Sequence, residues 1–243
     1  MWGMAAVQLF IILLFLLFAW AIRRKKAYWL ISGFSTRPKE EQQELIENGM
    51  PQKTGTLLLV TAVGMLMLLP LVFTRFHFAM EVQFGFMLVF LLGGFIYLSK
   101  YEIAKKRKRS YLFSSLLFIG TIGLVIGLYF AGYQDYELKI AGEKFEITGL
   151  YGDEWQTSDI KEVQLLDKMP EVTWRENGFG LATMSKGRFT VEGYGSSLLF
   201  IRKDAPPYLY IELEGQHIFI NGKTPSETES WHQSLRKTIQ PAP

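Results

Sequence analysis

Four long stretches of the sequence contain no Asp, Glu, Lys, Arg or His, and they constrain the fold more than any other feature. They cover residues 1–22, 54–74, 82–99 and 110–134. An α-helix rises about 1.5 Å per residue, so about 20 apolar residues cross a hydrocarbon core about 30 Å thick. The sequence therefore predicts an α-helical membrane bundle over residues 1–132, with four transmembrane helices at about 4–22, 56–73, 82–99 and 111–131.

The composition fits a chain that is partly embedded in lipid. A mean hydropathy of +0.13 and 49% hydrophobic residues are high for a soluble protein of 243 residues. The absence of cysteine excludes disulfide frameworks, Cys-ligated zinc and thiol catalysis. The net charge of +3 divides into +8 over residues 1–132 and −5 over residues 133–243. This balance gives no indication of nucleic-acid binding, and we expect none.

The connections between the predicted helices differ in their basic residues. Loops 23–53 and 100–110 carry seven and six Lys or Arg, whereas the connection 74–81 carries only Arg75. Because basic loops stay in the cytoplasm, we expect the N-terminus and the C-terminal half to lie outside the cell membrane. The predicted topology determinants flank the helices: Arg23, Arg24, Lys25, Lys26, Lys105, Lys106, Arg107, Lys108 and Arg109.

Two alternatives to this topology stay open. The third stretch is the shortest, and if it does not cross the membrane the C-terminal half is cytoplasmic. The first stretch also ends near the small residues Ala19 and Ala21, as a cleaved signal peptide would. Its positive charges follow the apolar run instead of preceding it, which favours a retained helix.

The predicted helices contain none of the charged residues that transporters place at bilayer depth. Pro70 is expected to kink the second helix, and Gln8 lies near the outer end of the first. An anchor is therefore favoured over the alternative, a small transport-related subunit whose C-terminal domain regulates the helices.

Small residues recur at every fourth position of the last predicted helix, at Gly123, Gly127 and Ala131. Such a stripe lets another helix approach closely. We expect it to serve helix packing within the bundle, and the alternative is contact with a second copy in a homo-oligomer.

The first basic loop predicts a helix of about ten residues, capped by the hydroxyls of Ser35 and Thr36 and ended by Asn48-Gly49.

The segment 30–36 (LISGFST), the charged start of this helix and two further spans resemble an uncharacterised bacterial family of small membrane proteins, known only as a domain of unknown function. The resemblance covers about residues 5–105 and implies no activity. This sequence has Ser35 where that family is expected to have Asn.

The sequence after residue 132 changes to short segments in which apolar and polar residues alternate, which is typical of strands with one buried face. The segments are 138–140, 145–147, 163–165, 189–191, 198–200, 209–213 and 218–220. The Gly-Phe-Gly and Gly-Tyr-Gly sequences at 178–180 and 193–195 predict turns with positive φ.

A helix is predicted to close the chain. Thr224, Pro225 and Glu227 form a capping sequence, and Trp231, Leu235 and Ile239 then follow on one face. About seven strands and one terminal helix predict a β-rich sandwich or partly open barrel over residues 133–243.

This half of the chain resembles the bacterial pleckstrin-homology-like (PH-like) domains that are attached to membrane spans. The resemblance covers about residues 136–240 and rests on the segments 158–163 (SDIKEV), 177–180 (NGFG), 187–189 (GRF), 193–195 (GYG) and 206–208 (PPY). It implies the fold and a binding or scaffolding role, and it implies neither catalysis nor a defined ligand.

We therefore expect a non-enzymatic protein that presents a binding domain outside the membrane to a protein or envelope partner. The expected mode is peptide recognition along an exposed strand edge or in a groove beside the terminal helix. The net charge of −5 disfavours anionic headgroups as the ligand of this domain. Because His77, His217 and His232 lie far apart in the sequence, we predict no metal and no cofactor.

Overall fold

The chain folds as two units. In a computed structural model the chain is described over residues 2–74 and 76–239. The units are Met1–Val125, here called the membrane domain, and Ile126–Pro243, here called the sheet domain. Arg75, the one basic residue of the connection 74–81, and the last four residues of the predicted C-terminal domain, 240–243, lie outside the described residues.

Five α-helices precede the first strand in the described part of the chain. They are α1 (Trp2–Lys25), α2 (Lys39–Glu47), α3 (Met50–Leu68), α4 (Ala79–Leu98) and α5 (Ala104–Tyr133). Short 3-10 turns follow α1, α3 and α4, at Tyr28–Leu30, Leu69–Phe73 and Ser99–Tyr101.

Among the described residues, four helical segments are long and apolar enough to cross a membrane. They are Gly3–Lys25, Met50–Phe73, Ala79–Tyr101 and Ala104–Tyr133. The third is longer than its sequence suggested, because α4 begins at Ala79 and a 3-10 turn extends the segment to Tyr101. Length and composition thus indicate a multi-pass membrane protein, as the sequence predicts.

Helices α3 and α4 pack closely, and glycines make this possible. A Cβ at Gly94 would lie 2.3 Å from the Leu57 side chain, and one at Gly64 would lie 2.3 Å from the Phe86 ring. Helix α3 ends at Leu68, and a 3-10 turn that contains Pro70 continues from Leu69 to Phe73, while the kink expected at Pro70 stays a prediction. Small residues therefore bring the helices together where larger side chains would hold them apart.

The first basic loop folds against the start of α5. Fully buried Leu45 of α2 packs with Phe34 and Ile103 in an apolar cluster. The predicted hydroxyl cap of α2 is wrong: Pro38 precedes the helix, and Thr36 Oγ1 donates to Gly33 O at 3.1 Å instead. The predicted end of the helix is confirmed by Gly49, which has a φ of +78°.

The sheet domain contains nine strands within the described residues. They are β1 (Leu138–Ala141), β2 (Lys144–Ile147), β3 (Glu154–Gln156), β4 (Ile160–Leu166), β5 (Val172–Gly180), β6 (Met184–Val191), β7 (Gly195–Arg202), β8 (Tyr208–Leu213) and β9 (Gln216–Ile220). Strands β1, β2 and β3 form one sheet, and the second has the order β4-β8-β9-β7-β6-β5. Strands β7 and β9 are parallel neighbours, and all other pairs are antiparallel.

The main core lies between the two sheets and under the terminal helix α6 (Pro225–Ile239). Phe145 from the small sheet and Phe200 from the large sheet are buried in it. Trp231, Leu235 and Ile239 of α6 pack on the same core, as their spacing predicts. Thr224 Oγ1 caps the helix by accepting a bond from the Glu227 N–H at 3.2 Å.

Two glycine predictions have different outcomes. Gly193 and Gly195 adopt positive φ, of +81° and +71°, as expected of turn residues. The turn predicted at 178–180 is wrong, because Gly178 and Gly180 belong to β5. Gly178 lies opposite Gly187 of β6, and a Cβ on it would lie 2.3 Å from Lys186 O. At this position glycine allows the two strands to approach each other closely, because it has no side chain.

Candidate functional site

A cavity of the sheet domain lies on the face of the six-stranded sheet that points away from the main core. Its volume is about 530 Å³, within the range of about 300–1,000 Å³ that small ligand sites occupy. We call it the cup. Its lining residues are Met169, Val172, Arg175, Gly180, Ser185, Phe189, Leu199, Ile201, Lys203, Asp204 and Tyr208.

The floor of the cup belongs to a second apolar cluster. Residues alternate along each strand, so Leu198 and Phe200 of β7 join the main core while Leu199 and Ile201 reach the opposite face. Met169, in the β4–β5 connection, packs against this cluster. The cup therefore offers a preformed apolar surface.

Irregular pairing of β5 aims two of its side chains into the cup. The register with β6 shifts between Val172 and Trp174 and again between Arg175 and Asn177. Strict alternation would place Val172 and Arg175 on opposite faces, but both line the cup. Bulges commonly re-aim side chains in this way.

The rim of the cup carries charge. Arg175 is exposed and pairs with Phe189 across the strands, and it makes no ion pair within residues 2–74 and 76–239. Lys203 Nζ donates to Leu181 O at 2.5 Å. Asp204 has a φ of +57° in the β7–β8 connection. Two cations and one carboxylate thus surround an apolar floor.

Strand β5 is an edge strand of the large sheet and stands beside the cup. Its residues from Val172 to Asn177 are exposed, and Trp174 is 69% exposed. Near the other end of the strand, Tyr151 lies edge-on to Phe179, with ring centroids 6.3 Å apart. An exposed edge next to a pocket is the arrangement that peptide-binding domains use for an added strand.

A polar cluster lies farther along the same sheet face. Tyr210 Oη is 2.8 Å from His217 Nδ1 and 3.2 Å from Glu212 Oε2, and the Tyr194 ring packs on Tyr210. Burial, followed by the nearby Glu212 carboxylate, raises the pKa of Tyr210, which keeps its hydroxyl protonated. None of these residues lines the cup.

The described residues contain no group of three His, Asp or Glu that could hold a metal ion. His77, His217 and His232 lie on different elements: the α3–α4 connection, β9 and α6. They are not brought together as a ligand set.

The membrane domain buries two amides whose carbonyl oxygens have no partner in the described residues. Gln8 Nε2 donates to Met80 Sδ at 2.9 Å, and Gln83 Nε2 donates to Met65 O at 3.1 Å. Gln8 Oε1 and Gln83 Oε1 are both unpaired. Gln8 is among the residues noted from the sequence and Gln83 is not, although an amide just inside the third apolar stretch is a usable signal.

The two basic loops contact each other through ion pairs, and one predicted topology determinant, Lys106, takes part in them. Arg37 donates to Glu102 through two bonds of 2.7 and 2.8 Å, and Lys106 Nζ lies 2.7 Å from Glu41 Oε2. Arg107 donates to the Glu102 carbonyl. Arg23, Arg24 and Lys25 end α1, Lys26 follows it, and Lys105 to Arg109 lie near the start of α5. The carboxylates of Glu41 and Glu102 thus form ion pairs that connect one loop to the other.

The small-residue stripe of α5 is open. A Cβ at Gly123 or at Gly127 would meet no atom within 4 Å. Packing of this stripe within the bundle therefore stays a prediction. Ala131 is half-buried. Contact with a second copy stays a prediction.

Comparison with known proteins places a family match on the membrane domain. Residues 9–102 match the model of a family described as a domain of unknown function, DUF3784. The match spans α1 to α4 and ends at Glu102, close to the range of the resemblance noted in the sequence. No curated protein and no solved structure matches the chain.

Proposed function

We propose that this membrane protein is a membrane-anchored binding module. Its sheet domain recognises an extended segment of a protein or envelope partner, and it performs no catalysis. One observation carries the proposal: a preformed cup with an apolar floor lies directly beside an exposed edge strand. The strand supplies unpaired backbone groups for affinity, and the cup supplies a pocket for a side chain.

The PH-like resemblance belongs to this proposal. It is supported by two sheets packed around one core and by α6 covering β4 and β8. The parallel pair β7 and β9 departs from a simple antiparallel series. We propose the binding role from the cup itself, because a fold can host many functions.

The proposed orientation places the sheet domain outside the cytoplasm. The basic residues of both loops lie at one end of the long helices, where Lys106 pairs with Glu41. Positive charge next to helix ends is retained in the cytoplasm, and α5 leads from that side to the sheet domain.

The charges at the cup favour a ligand with an apolar group next to an acidic one. Arg175 and Lys203 outnumber Asp204 at the rim, although the domain as a whole is acidic. An acidic partner is therefore attracted to this rim and repelled by most of the remaining surface.

The proposal is tested by placing a photoreactive residue at Val172 in the cup and, separately, at Lys161 on the far edge strand β4. We expect a discrete partner adduct in intact cells only from position 172. Arg175→Glu should remove it, because the reversed charge repels the acidic group. The matched reversal Lys139→Glu on β1 should leave it intact.

Adducts of equal yield from both positions, or an adduct that survives Arg175→Glu, would contradict recognition at the cup.

A further inference from the structure

A groove runs along the surface of the membrane domain between α3 and α4. Its volume is about 420 Å³, and Leu57, Val60 and Phe90 contribute to its apolar walls. Gly93 and Gly94 also line it. The groove lies on helices expected to sit in the bilayer, so its surroundings are lipid rather than water.

The groove exists because two of the residues that line it are glycines, which have no side chain. Leu57 packs so closely on Gly94 that a Cβ there would lie 2.3 Å from its side chain. A Cβ at Gly93 would meet only the ring of Phe118, at 4.0 Å. The space at Gly93 is therefore free for a ligand.

One end of the groove is polar. Lys53 in the first turn of α3 and Tyr97 in the last turn of α4 line this end. Tyr97 Oη lies 2.7 Å from Tyr101 Oη, and Lys53 Nζ lies 5.7 Å from the centre of the Tyr101 ring. Lys53 is exposed and pairs with no carboxylate in the part of the chain that is described.

We propose that this groove binds one anionic phospholipid. An acyl chain lies along the apolar walls, and the phosphate lies at the Lys53 ammonium and the Tyr97 hydroxyl. A lysine near the membrane surface favours an anionic headgroup, and tyrosines are common at headgroup depth. The polar end of the groove lies beside the basic loops, which under the proposed orientation is the cytoplasmic leaflet, where anionic lipids are concentrated. The inference is independent of the cup.

The test uses the full-length protein in detergent, with dioleoyl phosphatidylglycerol or dioleoyl phosphatidylcholine added, and native mass spectrometry to count retained lipids. We expect one phosphatidylglycerol to be retained in preference to phosphatidylcholine. Lys53→Gln should weaken its retention about fivefold, the effect of one lysine near a membrane surface. Lys39→Gln, an equal change of charge at an exposed position of α2, should leave retention unchanged.

A second pair of variants tests the apolar part of the groove. Gly93→Leu fills it and should reduce retention of both lipids. Gly85→Leu adds the same side chain to α4, at a glycine that does not line the groove and where an added Cβ would meet no atom within 4 Å. It should bind as the wild type does. Thermal unfolding checks that each variant folds, and if Gly93→Leu does not fold, Lys53→Gln decides alone.

Equal retention of the two lipids by the wild type, or unchanged retention after Lys53→Gln, would overturn the proposal.

Discussion

Cations hold the segment that follows α5 onto the sheet domain. Asp135 accepts bonds from Arg202 Nη2 at 2.7 Å and Lys223 Nζ at 2.8 Å. The carbonyl of Gln134 accepts a bond from the ammonium of Lys186, a residue that is 1% exposed. Burial, and then the charge of Arg202, lower the pKa of Lys186. The buried ammonium therefore depends on its carbonyl partner for compensation.

Asp135→Asn should have a pH-dependent effect. The bonds from Lys223 and Arg202 lower the pKa of Asp135. A carboxyl group with a lowered pKa stabilises the fold above its ordinary value of about 3.9, and this stabilisation is lost as the pH falls through the lowered pKa. The variant should therefore unfold at a lower temperature than the wild type at pH 7, and the difference should shrink between about pH 5 and pH 2.

The measurement is thermal unfolding of the full chain, followed by tryptophan fluorescence across that pH range. Asp167→Asn is the control, because Asp167 is exposed and forms no ion pair in the described part of the chain. A difference at Asp135 that stays constant with pH would contradict this account.

For single residues, the sequence pattern predicts which side of an element is buried better than it predicts which residues bond to each other. Spacing placed Trp231 and Leu235 on the buried side of α6. The burial of Lys186 could not be predicted, because its partner Gln134 lies 52 residues away. Arg175 was not singled out either, because two bulges decide that it faces the cup.

Strands β5 and β6 approach each other closely at one position beside the cup. Gly178 and Gly187 face each other there, and a Cβ on Gly187 would lie 2.5 Å from Asn177 O. Gly178→Ala should therefore lower the free energy of unfolding by about 1–3 kcal/mol, as overpacking does. Gly180→Ala, in the same strand, would place its Cβ at an ordinary 3.7 Å from Arg175.

We expect Gly180→Ala to change the free energy of unfolding by less than about 0.5 kcal/mol. Chemical unfolding of both variants measures the contrast. Equal destabilisation would show that the close approach of the strands is not what requires glycine.

The Arg37–Glu102 pair joins the two basic loops. Glu102 is nearly buried, and it also accepts a bond from the Ile103 N–H at 3.0 Å. Arg37→Ala leaves this carboxylate without its cation and should cost about 3 kcal/mol. The double variant Arg37→Met with Glu102→Leu removes both charges and should recover most of that loss. Unfolding in mixed micelles measures both, and a double variant less stable than Arg37→Ala alone would contradict this role.

Helices and strands could be predicted from the sequence where an apolar run or an apolar–polar alternation continued over several residues. The four long apolar helices and seven of the strands follow from length and alternation. Strand β3 was missed because it has three residues, and β5 because most of its residues are exposed. The parallel pairing of β7 and β9 depends on long-range packing, which local periodicity does not encode.

At the scale of the whole molecule, charge is divided between the two ends of the chain. The small net charge of +3 combines a basic membrane half with an acidic sheet half. In the proposed orientation the basic loops stay in the cytoplasm and the acidic domain lies outside. Binding at the cup by an external partner requires this arrangement.

The orientation is tested most directly by cysteine labelling, because the natural chain has no cysteine. Ser158→Cys lies at an exposed position of the sheet domain, and Ser35→Cys at an exposed position of the first basic loop. In intact spheroplasts, a membrane-impermeant maleimide should label position 158, and it should label position 35 only after detergent lysis. Labelling of position 35 with protection of position 158 would contradict an outward-facing binding domain.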